Sequence, residues 1–430
     1  MSTLVLVGCT QQTPSTPPPQ SSNVTLQWWG VFMDEDVVDS LIKEYQDQNP
    51  GITIDYANRW PGGKSELAAK LYQDELDRIL KENNPVSIPD IFMVQNTWVG
   101  NYDPYITAAP AETIDAETVR TAYYPAVVTD FTQEDRVLGL PLWMDTLAIL
   151  YNKNILTSAS VSTPPSDWVN FKQLALSLTQ RGGGSITRAG FSAGRAINVG
   201  FAAELFNLLL LQNGVPIVDA AGIPSFSTDT DSQTAYNFFK SFEGSAAGTW
   251  DGTYESDALA FLQGKLAMMA APSWRYLDLL TFNDKYDLGV NIGVAPMPQL
   301  QGQTIPTINW ATYWGNLVSK NRPNSKAAWD FLNWLSQPAQ LKKLNANIKL
   351  KNNFFGILYP RVDMQQELQS DQYLRVYNSA LPTAQSWFMV EGYGVRTAFN
   401  KLLDGNGNAQ SLISEAENTI QQIFFNQGSL

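Results

Sequence analysis

The stretch 138–153 constrains this chain more than any other. Gly139 and Pro141 close one segment, Trp143 and a lone acid, Asp145, follow, and a buried apolar run then begins. That run, residues 147–151, is short, rich in branched and aromatic side chains, and bounded by polar turns. It therefore predicts a fully buried strand. A bulky indole and a carboxylate at the mouth of such a strand offer a flat face and two acceptors to a ligand. The same residues suit a strand entry whose Trp caps the core and whose Asp bonds nearby backbone. Both readings stay open on this segment alone.

Earlier in the chain, Val37, Val38, Leu41, Ile42 and Tyr45 keep helical spacing, and Pro50-Gly51 stops that helix. Ile52 and Ile54 restart the chain as a strand. Leu67, Leu71, Leu76, Ile79 and Leu80 mark a second amphipathic helix, closed by Asn83-Asn84-Pro85, and a third strand runs over 91–94. Strands alternating with helices predict βαβ units and a parallel sheet. A helix-rich stretch from about 166 to 280 predicts a second lobe. Gly182-Gly183-Gly184 reads as a loop, because no Lys-Ser/Thr pair follows to make a phosphate cradle.

The 138–153 stretch resembles the "G-hydrophobic-P … L-hydrophobic-YNK" signature of family 1 extracellular solute-binding proteins, the maltose-binding type that serves ABC importers. Other pieces fall in that family's order. Thr25-Leu26-Gln27-Trp28-Trp29, Pro50-Gly51-Ile52-Thr53-Ile54 and Pro89-Asp90-Ile91-Phe92 resemble its first three strands. The segment 164–168 is similar to its "P-P-x-T/S-W" helix start, and 261–268 to "F-x-x-G-K-x-A-M". The segment 321–335 resembles the "N-K-x-A-A-W-x-F-L" helix, and Tyr393-Gly394-Val395-Arg396-Thr397-Ala398 the helix of the last lobe. The resemblance implies a periplasmic-binding-protein-like α/β fold of two lobes, with a hinge crossed three times and a ligand cleft between them. The crossings are expected near 141–146, 303–309 and 357–364. Lobe one is then 24–142 plus 309–358, and lobe two 143–308 plus 359–430.

Thirteen tryptophans supply the chemical clue. Trp168, Trp329 and Trp334 sit in helical patterns and are expected in the core. Trp28, Trp29, Trp60, Trp98, Trp143, Trp274, Trp310, Trp314 and Trp387 sit where strands or turns end. Ligands of open parallel sheets bind beyond the carboxyl ends of the strands, so these are the better ligand candidates. The resemblance assigns a sugar-binding carboxylate to Asp145, a stacking aromatic to Trp274, and polar contacts to Asn96 and Thr97. It places Trp310 and Tyr313 on a ligand-touching loop after the second crossing, and Tyr393 on the last-lobe helix. Gly392 replaces a Trp of the maltose type there, a gap that Trp387 is placed to fill. The expected ligand-binding set is thus Trp29, Asn96, Thr97, Trp143, Asp145, Trp274, Trp310, Tyr313, Trp387 and Tyr393. Arg59 and Arg275 suit a charged group, although arginines more often stand in salt bridges, and Asp90 reads as structural, closing its turn.

The net charge of −13 argues against nucleic acid or anionic membrane as the main partner. The chain has no histidine, which excludes His-type catalytic triads and most zinc sites. No cofactor and no metal are expected. The single cysteine, Cys9, follows Leu6-Val7-Gly8, which resembles a lipoprotein cleavage box, so residues 1–9 read as a short signal ending at a lipidated cysteine. Residues 10–23, rich in Pro, Ser, Thr and Gln, read as an extended tether. The expected protein is a monomeric, lipid-anchored extracytoplasmic receptor, touching the membrane only through its anchor. It captures a sugar or oligosaccharide for the permease and ATPase of an ABC importer, partners implied by the resemblance. Two alternatives stand beside it: the same receptor with an aromatic cage for a quaternary amine or polyamine, and a glycoside-active enzyme using Asp145 and Glu391. A wall-bound adhesin, binding polymer without lobe closure, is a further reading.

Overall fold

The computed structural model describes residues 23–62, 66–84, 86–219, 222–302, 307–351, 355–387 and 394–426. In chain order the strands are β1 (Val24–Gly30), β2 (Ile52–Asn58), β3 (Ile91–Gln95), β4 (Thr132–Gln133), β5 (Arg136–Val137), β6 (Gly139–Pro141) and β7 (Asp145–Asn152). They continue with β8 (Gln180–Gly182), β9 (Ser185–Phe191), β10 (Leu266–Pro272), β11 (Ile292–Ala295), β12 (Asn309–Thr312), β13 (Trp314–Val318) and β14 (Ala384–Gln385). Two large sheets result. The first runs β2-β1-β3-β13-β6; the second runs β14-β12-β7-β10-β9-β8, with β11 also on β7. Strands β4 and β5 form a separate hairpin.

The alternation of helix and strand produces parallel pairing where it is strongest. Strand β1 pairs in parallel with β2 and β3. Beyond that the sheets are mixed, since β13 runs antiparallel to both β3 and β6, and β7 runs antiparallel to β10, β11 and β12. All eight residues of β7 are buried, as befits a central strand covered on both faces.

The helix Glu35–Gln48 buries Val37, Val38, Leu41, Ile42 and Tyr45, the five residues whose spacing predicts it. The helix Glu66–Glu82 departs from expectation. Leu67 and Leu71 are 65% and 51% exposed, while Ala68, Ala69, Tyr72, Leu76, Ile79 and Leu80 form its inner face. The helix sits rotated because Tyr72 reaches under the sheet and donates its hydroxyl to the Met93 carbonyl at 2.6 Å. Trp168 and Trp329 are core residues and Trp334 is partly buried against the core. Trp28 and Trp98, expected at strand ends, are also fully buried. Trp28 donates its indole N–H to Asn316 Oδ1 at 2.8 Å, tying β1 to β13 across the sheet.

Gly139 and Gly315 lie opposite the ring of Phe131, and a Cβ at Gly315 would fall 2.3 Å from it. The glycine of the 138–141 motif is thus a packing requirement. Asp90 is fully buried, accepts from the Gln27 amide, and takes a bidentate contact from Arg322 Nε at 2.9 Å and Nη2 at 2.8 Å.

The sheets exchange chain at narrow points. Between β6 in the first sheet and β7 in the second lie only Leu142, Trp143 and Met144. Between β12 in the second and β13 in the first lies Tyr313 alone. Thus 309–312 belongs to the second sheet, and the chain changes sheets at Tyr313 rather than at 309. Near the third expected crossing, Leu358 bridges to Met144 and Arg361 to Tyr123. Among the described residues, no helix is long and apolar enough to cross a membrane. Cys9 and the 10–22 part of the tether lie outside the described residues, as does Tyr393.

Candidate ligand-binding cleft

A cleft of about 560 Å³ opens between the two sheets. Five of the expected residues line it: Trp143, Asp145, Trp274, Trp310 and Tyr313. The first-sheet side adds Phe32, Trp60, Gln95 and Trp314, and the second-sheet side adds Glu204, Asp257, Arg275 and Arg396.

Asp145 opens β7 beside the start of the helix Ser273–Lys285. Its Oδ1 accepts from the Thr146 amide at 2.8 Å and the Ser273 amide at 2.9 Å. Its Oδ2 accepts from Ser273 Oγ at 2.8 Å and the Trp274 amide at 3.3 Å. A carboxylate has about four acceptor sites, so the side chain is saturated. Of the two readings of this acid, the structure favours the backbone-bonding one: Asp145 caps a helix and fixes where Trp274 stands. Burial pushes its pKa up to about 6, against hydrogen bonds that favour the charged form.

Trp274 presents a ring already covered on two fronts. Arg275 lies 4.7 Å from its centroid, and Phe355 stacks on it at 5.1 Å. Arg275 donates to Asp278 Oδ2 at 2.7 Å, and Arg396 pairs with Glu204. Asp257 accepts from the amides of Gly200 at 2.9 Å and Ala258 at 2.7 Å, and burial pushes its pKa up. Opposite, Trp60 packs against Phe32 at 4.3 Å and edge-on to Trp314 at 5.7 Å. Trp310 is 2% exposed, and its indole N–H has no acceptor among the described residues.

Four expected residues stand outside the lining. Asn96 is 1% exposed, and its side chain joins Gln95, Asp130, Ser386 and the Tyr313 amide. Thr97 folds back onto Gln95, donating from its amide at 2.8 Å. The cleft residue of this loop is Gln95, one position before the expected pair. Trp387 is a second-lobe core residue, with its indole N–H on Asn207 Oδ1 at 2.5 Å and its ring edge-on to Phe399. Trp29 lies under the Arg59 guanidinium at 4.5 Å, and Arg59 itself pairs with Glu75.

Tyr313, the single residue of the second crossing, is 1% exposed. Its hydroxyl donates to Asp130 Oδ2 at 2.5 Å, and that oxygen also accepts from Asn96 at 2.7 Å and Ser386 at 3.2 Å. Part of the Asp130 residue remains accessible, yet its carboxyl group lies deep enough that burial pushes its pKa up to about 6. A polar knot therefore joins both sides at the hinge.

Phe32 was within reach of the strand-end rule, since it follows β1 directly. Glu204, Asp257 and Arg396 carry no such signal, because helical acids and bases ordinarily face water.

Residues 34–342 match the family described as bacterial extracellular solute-binding protein. The maltotriose-binding protein of Pyrococcus abyssi (strain GE5 / Orsay) is 21% identical over 316 residues, covering 72% of this chain and 61% of that protein's length. Among solved structures, the sugar-binding protein MalE from Xanthomonas citri superposes with a TM-score of 0.73 at 17% identity, over 94% of this chain and 98% of that one. The GacH receptor of Streptomyces glaucescens GLA.O, solved unliganded and with acarbose, gives 0.70 at 19% identity, over 93% and 98%. At these identities the structural likeness establishes the fold.

Proposed function

The chain belongs to the bacterial extracellular solute-binding proteins, and from that premise we propose that it captures a sugar or oligosaccharide by lobe closure and delivers it to an ABC importer. One observation carries this reading: a single cleft joins aromatic faces on one side to hydrogen-bonding groups on the other. A pyranose has both surfaces, with C–H groups on its faces and hydroxyls around its edge. Hiding ~60 Å² of ring face on an indole contributes about 1.5 kcal/mol at ~25 cal/mol per Å². A hydrogen bond to a charged group adds about 1.5–3 kcal/mol. Two of each give roughly 6–9 kcal/mol gross, against the about 8.2 kcal/mol net of micromolar binding, so the site has to be largely preformed. The protein–protein bonds that already fix Trp274, Asp257 and Arg396 supply that order.

The volume falls within the range of small-molecule sites. The unpartnered Trp310 N–H suits a ligand hydroxyl. Tyr313 and the 142–144 segment are the natural pivots for closure, which traps the ligand and presents the form a permease recognises. Cys9 as a lipid anchor and 10–23 as a tether complete the proposed receptor. A cation cage is less well supported, because Arg275 already occupies the position beside the Trp274 ring that a ligand cation would take. The family consists of binding proteins, and the saturated Asp145 is a poor catalytic carboxylate.

The test is a thermal-shift screen of the protein with mono- and oligosaccharides, and with choline, betaine and polyamines alongside. The expected result is a sugar-specific rise in melting temperature that disappears in Trp274→Ala and weakens in Trp310→Phe, which keeps a ring and removes the donor. A rise with the cations alone would replace the sugar by the aromatic cage.

A further inference from the structure

The ring of Phe355 sits between two rings from different sides of the cleft. Its centroid is 4.3 Å from that of Phe32, with the planes 14° apart. On the other side it is 5.1 Å from Trp274, with the planes 26° apart. Phe32 follows β1 of the first sheet, and Trp274 follows β10 of the second. Phe355 belongs to neither sheet. It lies three residues before Leu358, which bridges to Met144 beside the first crossing.

Two backbone features hold the stack. Gly356 has φ +85°, and a Cβ there would lie 2.8 Å from Ile348 and 3.4 Å from Trp143. A side chain at 356 would be strained by that φ and would have to push the tip of Ile348 aside, so glycine suits the turn beside Phe355 in the cleft. Phe32 itself has φ 63°, a left-handed conformation that is unfavourable for an aromatic residue and persists only where its surroundings hold it. Trp60 at 4.3 Å and Trp314 at 5.4 Å provide those surroundings. Phe32, Phe355 and Trp274 all line the cleft. The slot between Phe32 and Trp274 is therefore one ring thick, and the protein fills it with a ring of its own.

We propose that Phe355 is a built-in competitor for the stacking slot of the cleft. It joins the two lobes face to face without ligand, and an incoming ligand ring has to displace it from between Phe32 and Trp274. The identity of that ring as a sugar rests on the receptor reading above; the competing contact does not. The apparent affinity of a site is its intrinsic affinity multiplied by the fraction of molecules in which it is empty. Phe355 thus sets a threshold for capture. It also selects for ligands whose face covers both indole and phenyl well enough to replace an aromatic pair.

The experiment uses the full chain with Phe355→Ala, and with Phe355→Leu as a variant that keeps apolar volume without a flat face. Small-angle scattering in the absence of ligand reads the bridge, and calorimetric titration with maltotriose reads the competition. The expected result is a larger radius of gyration for both variants. Maltotriose binding by Phe355→Ala should tighten roughly fivefold to twentyfold, as a self-occupied slot becomes empty. An unchanged radius in both variants overturns the proposal. So does weaker maltotriose binding by Phe355→Ala, which would make Phe355 a wall of the site. If maltotriose binds none of the three proteins, the failure lies with that sugar as ligand, and the scattering result still decides the role of Phe355.

Discussion

On the first-sheet side of the cleft, Phe32, Trp60, Gln95 and Trp314 present rings and one amide and no charge. On the second-sheet side, Asp145, Glu204, Asp257, Arg275 and Arg396 reach the same space. The rings pack on one another, so each one lost leaves the others with company. The charges are wired in pairs and caps, so each one lost strands a buried partner. Binding and folding are therefore separable on the first side and entangled on the second. The largest effects of mutation should come from the charged wall, and they should appear as lost stability before they appear as lost binding.

The sharpest way to break that contrast is Asp145→Ala. It leaves three amide N–H groups and the Ser273 hydroxyl without their acceptor. Stranded buried donors cost about 1–3 kcal/mol each, with some recovered by relaxation, so the expected loss is roughly 3–5 kcal/mol of unfolding free energy. Urea unfolding should show a lower midpoint with an unchanged slope. A loss under 1 kcal/mol would show that the cap is replaceable and that Asp145 is free to serve a ligand.

Next in size is Arg396→Met, which leaves Glu204, 6% exposed at its side chain, without its counter-charge. Breaking a buried pair from one end costs about 3 kcal/mol or more, whereas replacing both partners by apolar residues is often near neutral. The double variant Arg396→Met/Glu204→Leu should therefore regain most of the stability lost by the single one. If it does not, the pair contributes more than charge compensation to this wall.

The uncharged wall predicts the reverse pattern. Trp60→Leu keeps apolar volume and removes a flat face, so the expected loss is about 0.5–1.5 kcal/mol of ligand affinity, up to roughly tenfold in Kd. Stability should fall by less than in either charged-wall variant, since Trp314 still packs on Phe32, and the loss of affinity should be the same at low and high salt. Titration at two salt concentrations, with a melting curve for each protein, checks this. A salt-dependent loss would mean that the first wall acts through the charges opposite it.

The same contrast explains what the sequence reveals. Apolar periodicity located the helix Glu35–Gln48 down to its five inward residues, because large side chains carry that face. It finds the helix Glu66–Glu82 with its inward Leu76, Ile79 and Leu80, but it misplaces the first turns, where Ala68, Ala69 and Tyr72 pack and the more conspicuous Leu67 and Leu71 face out. Likewise the strand-end rule reached Trp60, Trp143, Trp274, Trp310 and Trp314 in the cleft, but it also gathered Trp28 and Trp98, which are core. An aromatic residue announces a site because it is rare and large. The charged wall was nearly silent, since Glu204, Asp257 and Arg396 become buried only through partners distant in sequence. Asp145 was found by its neighbours, yet its work as a cap depends on Ser273, 128 residues away.

The last contrast lies at the hinge, where the two sides meet at Asp130, and it is read against pH. Its ordinary pKa of 3.8 rises to about 6 in the fold, because burial disfavours the carboxylate. Between these values the folded chain holds a proton that the unfolded chain has released, so unfolding free energy falls as pH rises. The group's contribution is most favourable below about pH 4 and has been lost above about pH 6. Asp130→Asn removes the titration while keeping one oxygen for the Tyr313, Asn96 and Ser386 donors, all of which meet Oδ2. Tyr313 stays a donor throughout, since burial and Asp130 hold its own pKa well above the usual tyrosine range. The stability of the parent relative to Asp130→Asn should therefore fall between pH 4 and pH 6 and level off above. Urea midpoints of both proteins at pH 4, 5, 6 and 7 measure this, and the titration of Asp145, common to both, largely cancels in the difference. A flat difference would mean that the three donors fully offset burial and that the carboxylate stays ionised across this range, making the hinge knot a third charged element at every pH measured rather than a joint that turns neutral in acid.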